Sequence, residues 1–91
     1  MDEIEEYLEK GAVVIDVRTE AEYEQGHVPG SLNIVLDTIP QRVDEIKALG
    51  DSFIAVCRSG ARSGNATEFL ESHGLDIING GPWGDVDQFV D

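Results

Sequence analysis

Short apolar segments rich in β-branched residues alternate along this chain with segments of helical periodicity. Apolar strands without an alternating polar face are typical of parallel sheets that are buried on both sides. The sequence therefore predicts an α/β fold in which helices cover both faces of a parallel sheet. We expect strands over residues 12–17, 32–36, 53–57 and 75–78, and helices over residues 2–9, 19–25, 38–49, 63–73 and 83–90.

The length of 91 residues corresponds to one small domain, predicted over residues 1–91. Thr19 and Glu22, three residues later, form the capping-box pattern that marks the start of the second helix. The run Gly80-Gly81-Pro82 predicts a turn after the fourth strand. Ligands of such sheets bind beyond the carboxyl ends of the strands, so a site is expected after the central strand, which we take to be 53–57.

Charge and cysteine content exclude several classes of protein. Six basic and 19 acidic residues give a formal net charge of −13, which disfavours binding to nucleic acid or to an anionic membrane surface. The single cysteine, Cys57, cannot form an intramolecular disulfide, and with two histidines it cannot build a Cys-rich zinc site. No apolar run approaches the ~20 residues of a membrane-spanning helix. We expect a cytoplasmic monomer that uses no metal or other cofactor.

The excess of acidic residues also predicts the salt concentration in which the protein works. Only two of the six basic residues are lysines, and 19 acidic side chains would repel one another in dilute salt. At molar salt the Debye length falls to about 3 Å, and most of that repulsion disappears. The composition therefore favours an origin in a halophilic cytoplasm, with an ordinary acidic protein or one with a basic partner as the alternatives.

Cys57 begins the segment C-R-S-G-A-R-S, which leads directly into a predicted helix. A tight loop containing Gly60 can turn successive backbone amides inward, and the helix N-terminus adds a positive dipole. Arg58 and Arg62 add positive charge to the same loop. These features lower the pKa of a thiol and stabilise a bound anion. The alternative is a small apolar cysteine that completes a core strand.

Three successive motifs resemble the signatures of the rhodanese-like domain. They are D-V-R-T-E-A-E-Y at residues 16–23, G-H-V-P-G-S-L-N-I at residues 26–34 and C-R-S-G-A-R-S at residues 57–63. Their order and spacing extend the resemblance over about residues 12–83. The resemblance implies a three-layer fold whose parallel sheet has four to five strands, with any fifth strand lying within residues 1–6.

The resemblance further implies a sulfurtransferase. In that reading Cys57 takes the outer sulfur of a small anionic donor such as thiosulfate, becomes a persulfide, and passes the sulfur to cyanide, a thiol or a protein acceptor. The loop that would cradle the persulfide and bind the anion is formed by Arg58, Ser59, Gly60, Ala61, Arg62 and Ser63.

Supporting positions also follow from the resemblance. Asp16, at a strand end, would brace the site, and Arg18 would pair with Glu22 on the following helix. His27 is interpreted as a loop-packing residue rather than a base. Trp83 is interpreted as core or rim packing; it follows Gly81 by two residues, closer than in the family pattern.

Two other classes of function stay open at this point. Related phosphatases place five residues between the cysteine and the arginine, whereas four separate Cys57 from Arg62. The shorter loop encloses a smaller space, which suits a single sulfur atom better than a tetrahedral phosphate. For the same reason it disfavours an arsenate reductase. A non-enzymatic regulatory or interaction domain of the same fold is the other alternative, and the intact cysteine loop speaks against it.

Overall fold

The computed structural model describes residues 2–90. Ten helices and strands follow one another as α1 (Glu3–Glu9), β1 (Val13–Asp16), α2 (Glu20–Glu24), β2 (Leu32–Asn33), a 3-10 helix (Leu36–Gln41), α3 (Val43–Lys47), β3 (Phe53–Cys57), α4 (Ala61–Ser72), β4 (Ile77–Pro82) and α5 (Trp83–Asp87). Within residues 2–90, no helix combines the length and the hydropathy needed to cross a membrane.

The four strands form one sheet in the order β2-β1-β3-β4, and every neighbouring pair is parallel. This arrangement confirms the predicted α/β class and places β3 in the interior of the sheet. The segment considered for a fifth strand is helical from Glu3 onward, with Asp2 accepting a hydrogen bond from the Ile4 amide as its N-cap; Met1 lies outside the described residues.

Side chains of the central strand point alternately to two apolar layers. On one face Phe53, Ala55 and Cys57 pack in a cluster that includes buried residues of the 3-10 helix, α3 and α4. On the other face Ile54 and Val56 pack in a cluster with residues of α1 and α5. Helices therefore cover both faces of the sheet, and Cys57 faces the layer that contains α4.

Element boundaries differ from the predictions by two or more residues at five places. The helix predicted over residues 38–49 is divided into the 3-10 helix Leu36–Gln41 and α3, Val43–Lys47. The fourth strand, predicted over residues 75–78, runs from Ile77 to Pro82. The strand predicted to reach Leu36 ends at Asn33, and Leu36 opens the 3-10 helix. The fourth helix begins at Ala61 rather than Ser63, so the connecting loop contains only residues 58–60. The last helix ends at Asp87 instead of Val90.

The turn predicted at Gly80-Gly81-Pro82 is wrong, because these residues continue β4. Ala55 pairs with Asn79 and Val56 with Gly81, which leaves Gly80 as the extra residue of a β-bulge. A Cβ on Gly80 would lie 2.6 Å from Ile54 Cγ2. Glycine thus permits a bulge in contact with the core, where the sequence pattern alone suggests a chain reversal.

Candidate active site

Cys57 is the last residue of β3, and its side chain is buried. The chain turns sharply after it, because Gly60 adopts a φ of +101°, a conformation that residues with a Cβ rarely adopt. Helix α4 starts at the next residue, Ala61. Strand end, turn and helix start therefore surround one sulfur atom, as expected for the carboxyl end of a parallel strand.

The sulfur of Cys57 accepts hydrogen bonds from its own loop. The Gly60 amide lies 2.9 Å from Sγ and the Ser63 hydroxyl 3.2 Å from it. Burial raises the pKa of the Cys57 thiol, but hydrogen bonds from the Ser63 side chain and from the amides of Ser63, Gly60 and Ser59 outweigh that effect. The net result is a pKa below that of an ordinary cysteine, which favours the thiolate.

The two loop arginines differ in their surroundings. Arg58 is exposed and is not in an ion pair with any residue of the part that the structure describes. Arg62, in the first turn of α4, donates hydrogen bonds of 2.8 and 2.9 Å to the two carboxylate oxygens of Glu22. The hydrogen bond from Arg62 lowers the pKa of Glu22 to about 2. The positive charge expected from Arg62 is thus largely compensated within the site.

The predicted pair between Arg18 and Glu22 is wrong. Arg18 instead binds the carboxylate of Asp16 at the end of β1, with its Nη2 2.7 Å from Asp16 Oδ2 and both side chains buried. The same Nη2 donates a hydrogen bond to the Gly26 carbonyl. Asp16 is fully buried, and a buried carboxylate is costly unless it is paired with a cation. Because Arg18 pairs with Asp16, Glu22 is available to pair with Arg62.

Glu22 therefore has two functions in the fold. Its carboxylate accepts a hydrogen bond from the Thr19 amide, while the Glu22 amide donates to the Thr19 hydroxyl, so the predicted capping box is present. The box fixes the first turn of α2 with the Glu22 side chain pointing toward α4. The residue that caps α2 is thereby also the partner of Arg62 in the first turn of α4.

Asn79 on β4 contacts this site and is absent from the sequence predictions. Its Nδ2 donates to the Gly60 carbonyl (3.0 Å), and its Oδ1 accepts from the Ser63 hydroxyl (2.6 Å) and from the Gly81 amide (2.9 Å). The β-bulge that brings Asn79 here occupies the segment expected to form a turn. A polar residue directly before a double glycine is the only signal in the sequence that could have pointed to it.

An open cavity of about 330 Å³ lies beside the loop. Arg58 is its one side-chain cation that is not already in an ion pair among residues 2–90. The Trp83 ring contributes a wall and lies 5.1 Å from the Arg18 guanidinium.

His27 stacks on the Tyr23 ring, with the ring centroids 3.7 Å apart, and its Nδ1 lies 2.7 Å from the Tyr23 carbonyl oxygen. These contacts agree with the interpretation of His27 as a loop-packing residue.

The chain is similar in sequence to known proteins over most of its length. A sulfurtransferase of Allochromatium vinosum is 42% identical over 66 residues, which are 72% of this chain and 61% of that protein. A thiosulfate sulfurtransferase of Escherichia coli is 34% identical over 65 residues, 70% of this chain and 62% of that protein. The matches thus span a little over 60% of the length of these relatives.

A solved structure and a family model agree with these relatives. The structure described as a rhodanese with anions from E. coli superposes with a TM-score of 0.75 and 32% identity, covering 82% of this chain and 91% of the other. The family model of the rhodanese-like domain matches residues 1–81. With a four-stranded parallel sheet and a hydrogen-bonded cysteine at the end of its central strand, this chain belongs to the rhodanese-like domain family.

Proposed function

We propose that this protein is a sulfurtransferase whose nucleophile is Cys57. The Cys57 thiolate attacks the outer sulfur of a donor such as thiosulfate, an S–S bond forms, and the donor S–S bond breaks so that sulfite leaves with the electron pair. The outer sulfur of the resulting persulfide is then attacked by a thiophilic acceptor, and the Cys57 thiolate is released. Each transfer conserves electrons between donor, cysteine and acceptor.

One observation carries this proposal: the hydrogen bonds that the loop donates to the sulfur of Cys57. Attack on a sulfur requires the thiolate, and donors from Gly60 and Ser63 stabilise that form. The twelve residues of α4 add the positive end of a helix dipole next to them. Loop amides that bind a thiolate also suit the anionic outer sulfur of a persulfide.

The charge around the loop supports an anionic donor. Arg62 is bound by Glu22 and Arg18 by Asp16, which leaves Arg58 as the cation available to a ligand in the adjacent cavity. A dianion such as thiosulfate would approach the loop along this exposed guanidinium. Cyanide, a low-molecular-weight thiol or a protein thiol would follow as acceptor at the same opening.

The same contacts weigh against phosphate chemistry. A phosphatase needs its loop arginine directed at the transferred phosphoryl group, and here the Arg62 guanidinium is held by both oxygens of Glu22.

We propose one domain over residues 1–91 that works as a monomer. A reactive unpaired thiol suits a reducing compartment, which supports the proposed cytoplasmic location.

Steady-state turnover of thiosulfate and cyanide tests the proposal. Thiocyanate formation should show ping-pong kinetics, and Cys57→Ser should reduce it to the uncatalysed rate while the circular dichroism spectrum stays unchanged. Arg58→Ala should raise KM for thiosulfate more than it lowers kcat. Lys47→Ala is the matched control, because this exposed residue of α3 lies outside the cavity and its loss removes the same charge.

Equal thiocyanate rates for wild type and Cys57→Ser in folded protein would refute the proposed function. Cys57-dependent turnover of an aryl phosphate, without sulfur transfer, would instead identify a phosphatase. Neither activity combined with unimpaired function of Cys57→Ser in cells would favour an interaction domain.

A further inference from the structure

The side chain of Asn79 joins its own bulge in β4 to the cysteine loop and to the first turn of α4. Its amide nitrogen holds the carbonyl of Gly60, the residue whose own amide donates to Cys57. Its oxygen receives the Ser63 hydroxyl from α4 and the Gly81 amide from the bulge. A Cβ on Gly64 would lie 3.2 Å from Asn79 Nδ2, so the glycine leaves the space that this side chain occupies.

The hydroxyl of Ser63 has two acceptors but only one hydrogen. Asn79 Oδ1 lies 2.6 Å from Ser63 Oγ, and Cys57 Sγ lies 3.2 Å from it. A neutral thiol can donate its own hydrogen to Ser63 Oγ, which leaves the hydroxyl hydrogen for Asn79. A thiolate has no hydrogen to donate and needs the one on Ser63, so the two acceptors compete when Cys57 ionises.

We propose that Asn79 is a positioning residue for the nucleophile: it holds the Ser63 hydroxyl beside the sulfur and accepts its hydrogen bond until Cys57 becomes a thiolate. On ionisation the thiol proton leaves to solvent, and the Ser63 O–H rotates from Asn79 Oδ1 to Sγ. Asn79 Oδ1 keeps the Gly81 amide as a donor in both states. This inference rests on the proposed role of Cys57 as nucleophile.

The other charged groups near Cys57 lie on elements other than β4, so their effects on the pKa of Cys57 can be measured separately from that of Asn79. Arg58 and the Arg62–Glu22 pair belong to the loop and the facing helices, and the Asp16–Arg18 pair lies at the end of β1. From α5, a carboxylate oxygen of Asp85 lies 3.9 Å from the position of a Cβ on Gly81. None of the Ile77–Pro82 residues of β4 is charged. Because Asn79 is itself neutral, its effect on the Cys57 sulfur comes from hydrogen bonds.

The test compares alkylation of Cys57 by iodoacetamide across pH in two backgrounds. Asn79→Asp offers the Ser63 hydroxyl a stronger acceptor and loses the donor to Gly60, so alkylation at neutral pH should slow by about threefold or more. In a Ser63→Ala background the slowing should be clearly smaller, because the route through the hydroxyl is gone and only the added charge and the lost donor to Gly60 remain. Asn65→Asp, an exposed change on α4, controls for one added negative charge.

The pH profile discriminates this role from a merely structural one, since loosened packing would not make the shift depend on Ser63. An equal slowing in both backgrounds would overturn the proposal, as would no slowing in either. Should Asn79→Asp fail to fold, Asn79→Ala is measured in the same two backgrounds, and a shift that is independent of Ser63 again overturns it. Alkylation involves no sulfur donor, so this result stands apart from failure or success of sulfur transfer.

Discussion

Arg62 on α4 donates two hydrogen bonds, of 2.8 and 2.9 Å, to the carboxylate of Glu22 on α2, forty residues earlier in the chain. The pair crosses the rim of the site and compensates a positive charge that interacts electrostatically with Cys57. We therefore expect the reactivity of the cysteine to depend on a helix cap on another element as well as on its own loop.

Neutralising Glu22 should make Cys57 more reactive. Glu22→Gln keeps the capping-box pattern but leaves the Arg62 charge uncompensated, which lowers the pKa of the Cys57 thiol. We expect alkylation at neutral pH to quicken by about twofold to fivefold. Glu24→Gln, an exposed change on the same helix, is the control and should leave the rate unchanged. Equal rates for wild type and Glu22→Gln would contradict the charge compensation described here.

The same pair makes a defined contribution to acid stability. The hydrogen bond from Arg62 lowers the pKa of Glu22 from 4.5 to about 2, so its stabilising effect is complete above pH 4.5 and is lost as pH falls toward 2. Across that window, thermal unfolding of Glu22→Gln should depend less steeply on pH than that of wild type. Parallel curves for the two proteins would show that Glu22 is not paired in solution.

Much of this site follows from sequence patterns. The apolar run 53–57 ends in a cysteine and is followed by Gly60, and these local signals predict the strand, the turn and the helix around the sulfur. The capping box of Thr19 and Glu22 is equally local, with both hydrogen bonds spanning three residues. Patterns of this kind are readable because they depend on neighbours in the chain.

The contacts that sequence patterns missed are those decided by burial and by the register of the sheet. Arg18 has three acidic residues in its own motif, Asp16, Glu20 and Glu22, and the burial of Asp16 selects it as the partner. Asn79 reaches Ser63 because a bulge shifts the register of β4 against β3, and two glycines in a row suggest a turn just as readily. Such contacts depend on tertiary packing, which the periodicity of a local segment does not predict.

The bulge itself should tolerate no side chain at Gly80. A Cβ there would meet Ile54 Cγ2 at 2.6 Å and Val86 Cγ2 at 2.9 Å, so Gly80→Ala should lower the free energy of unfolding by about 1–3 kcal/mol. Gly84→Ala in α5 is the matched control, since a Cβ at that position meets nothing within 4 Å. Urea denaturation of both variants decides the matter, and equal stability of the two would contradict the packing described for β4.

The charge predicts a dependence of stability on salt. Four of the six basic residues already form ion pairs in the part of the chain that the structure describes, while 19 acids give a net charge of −13. Raising KCl from dilute to molar concentration should increase Tm by roughly 5 °C or more, because screening removes the repulsion. A sucrose series controls for effects other than screening. A Tm that stays flat or falls with KCl would contradict a halophilic adaptation.

Intact-mass spectrometry after incubation with thiosulfate tests the central claim most directly. In protein kept folded by molar KCl, we predict a gain of one sulfur atom, mapped to Cys57, removed by dithiothreitol and absent from Cys57→Ser. Folded wild-type protein that gains no sulfur from thiosulfate or from any other sulfane donor would contradict the account.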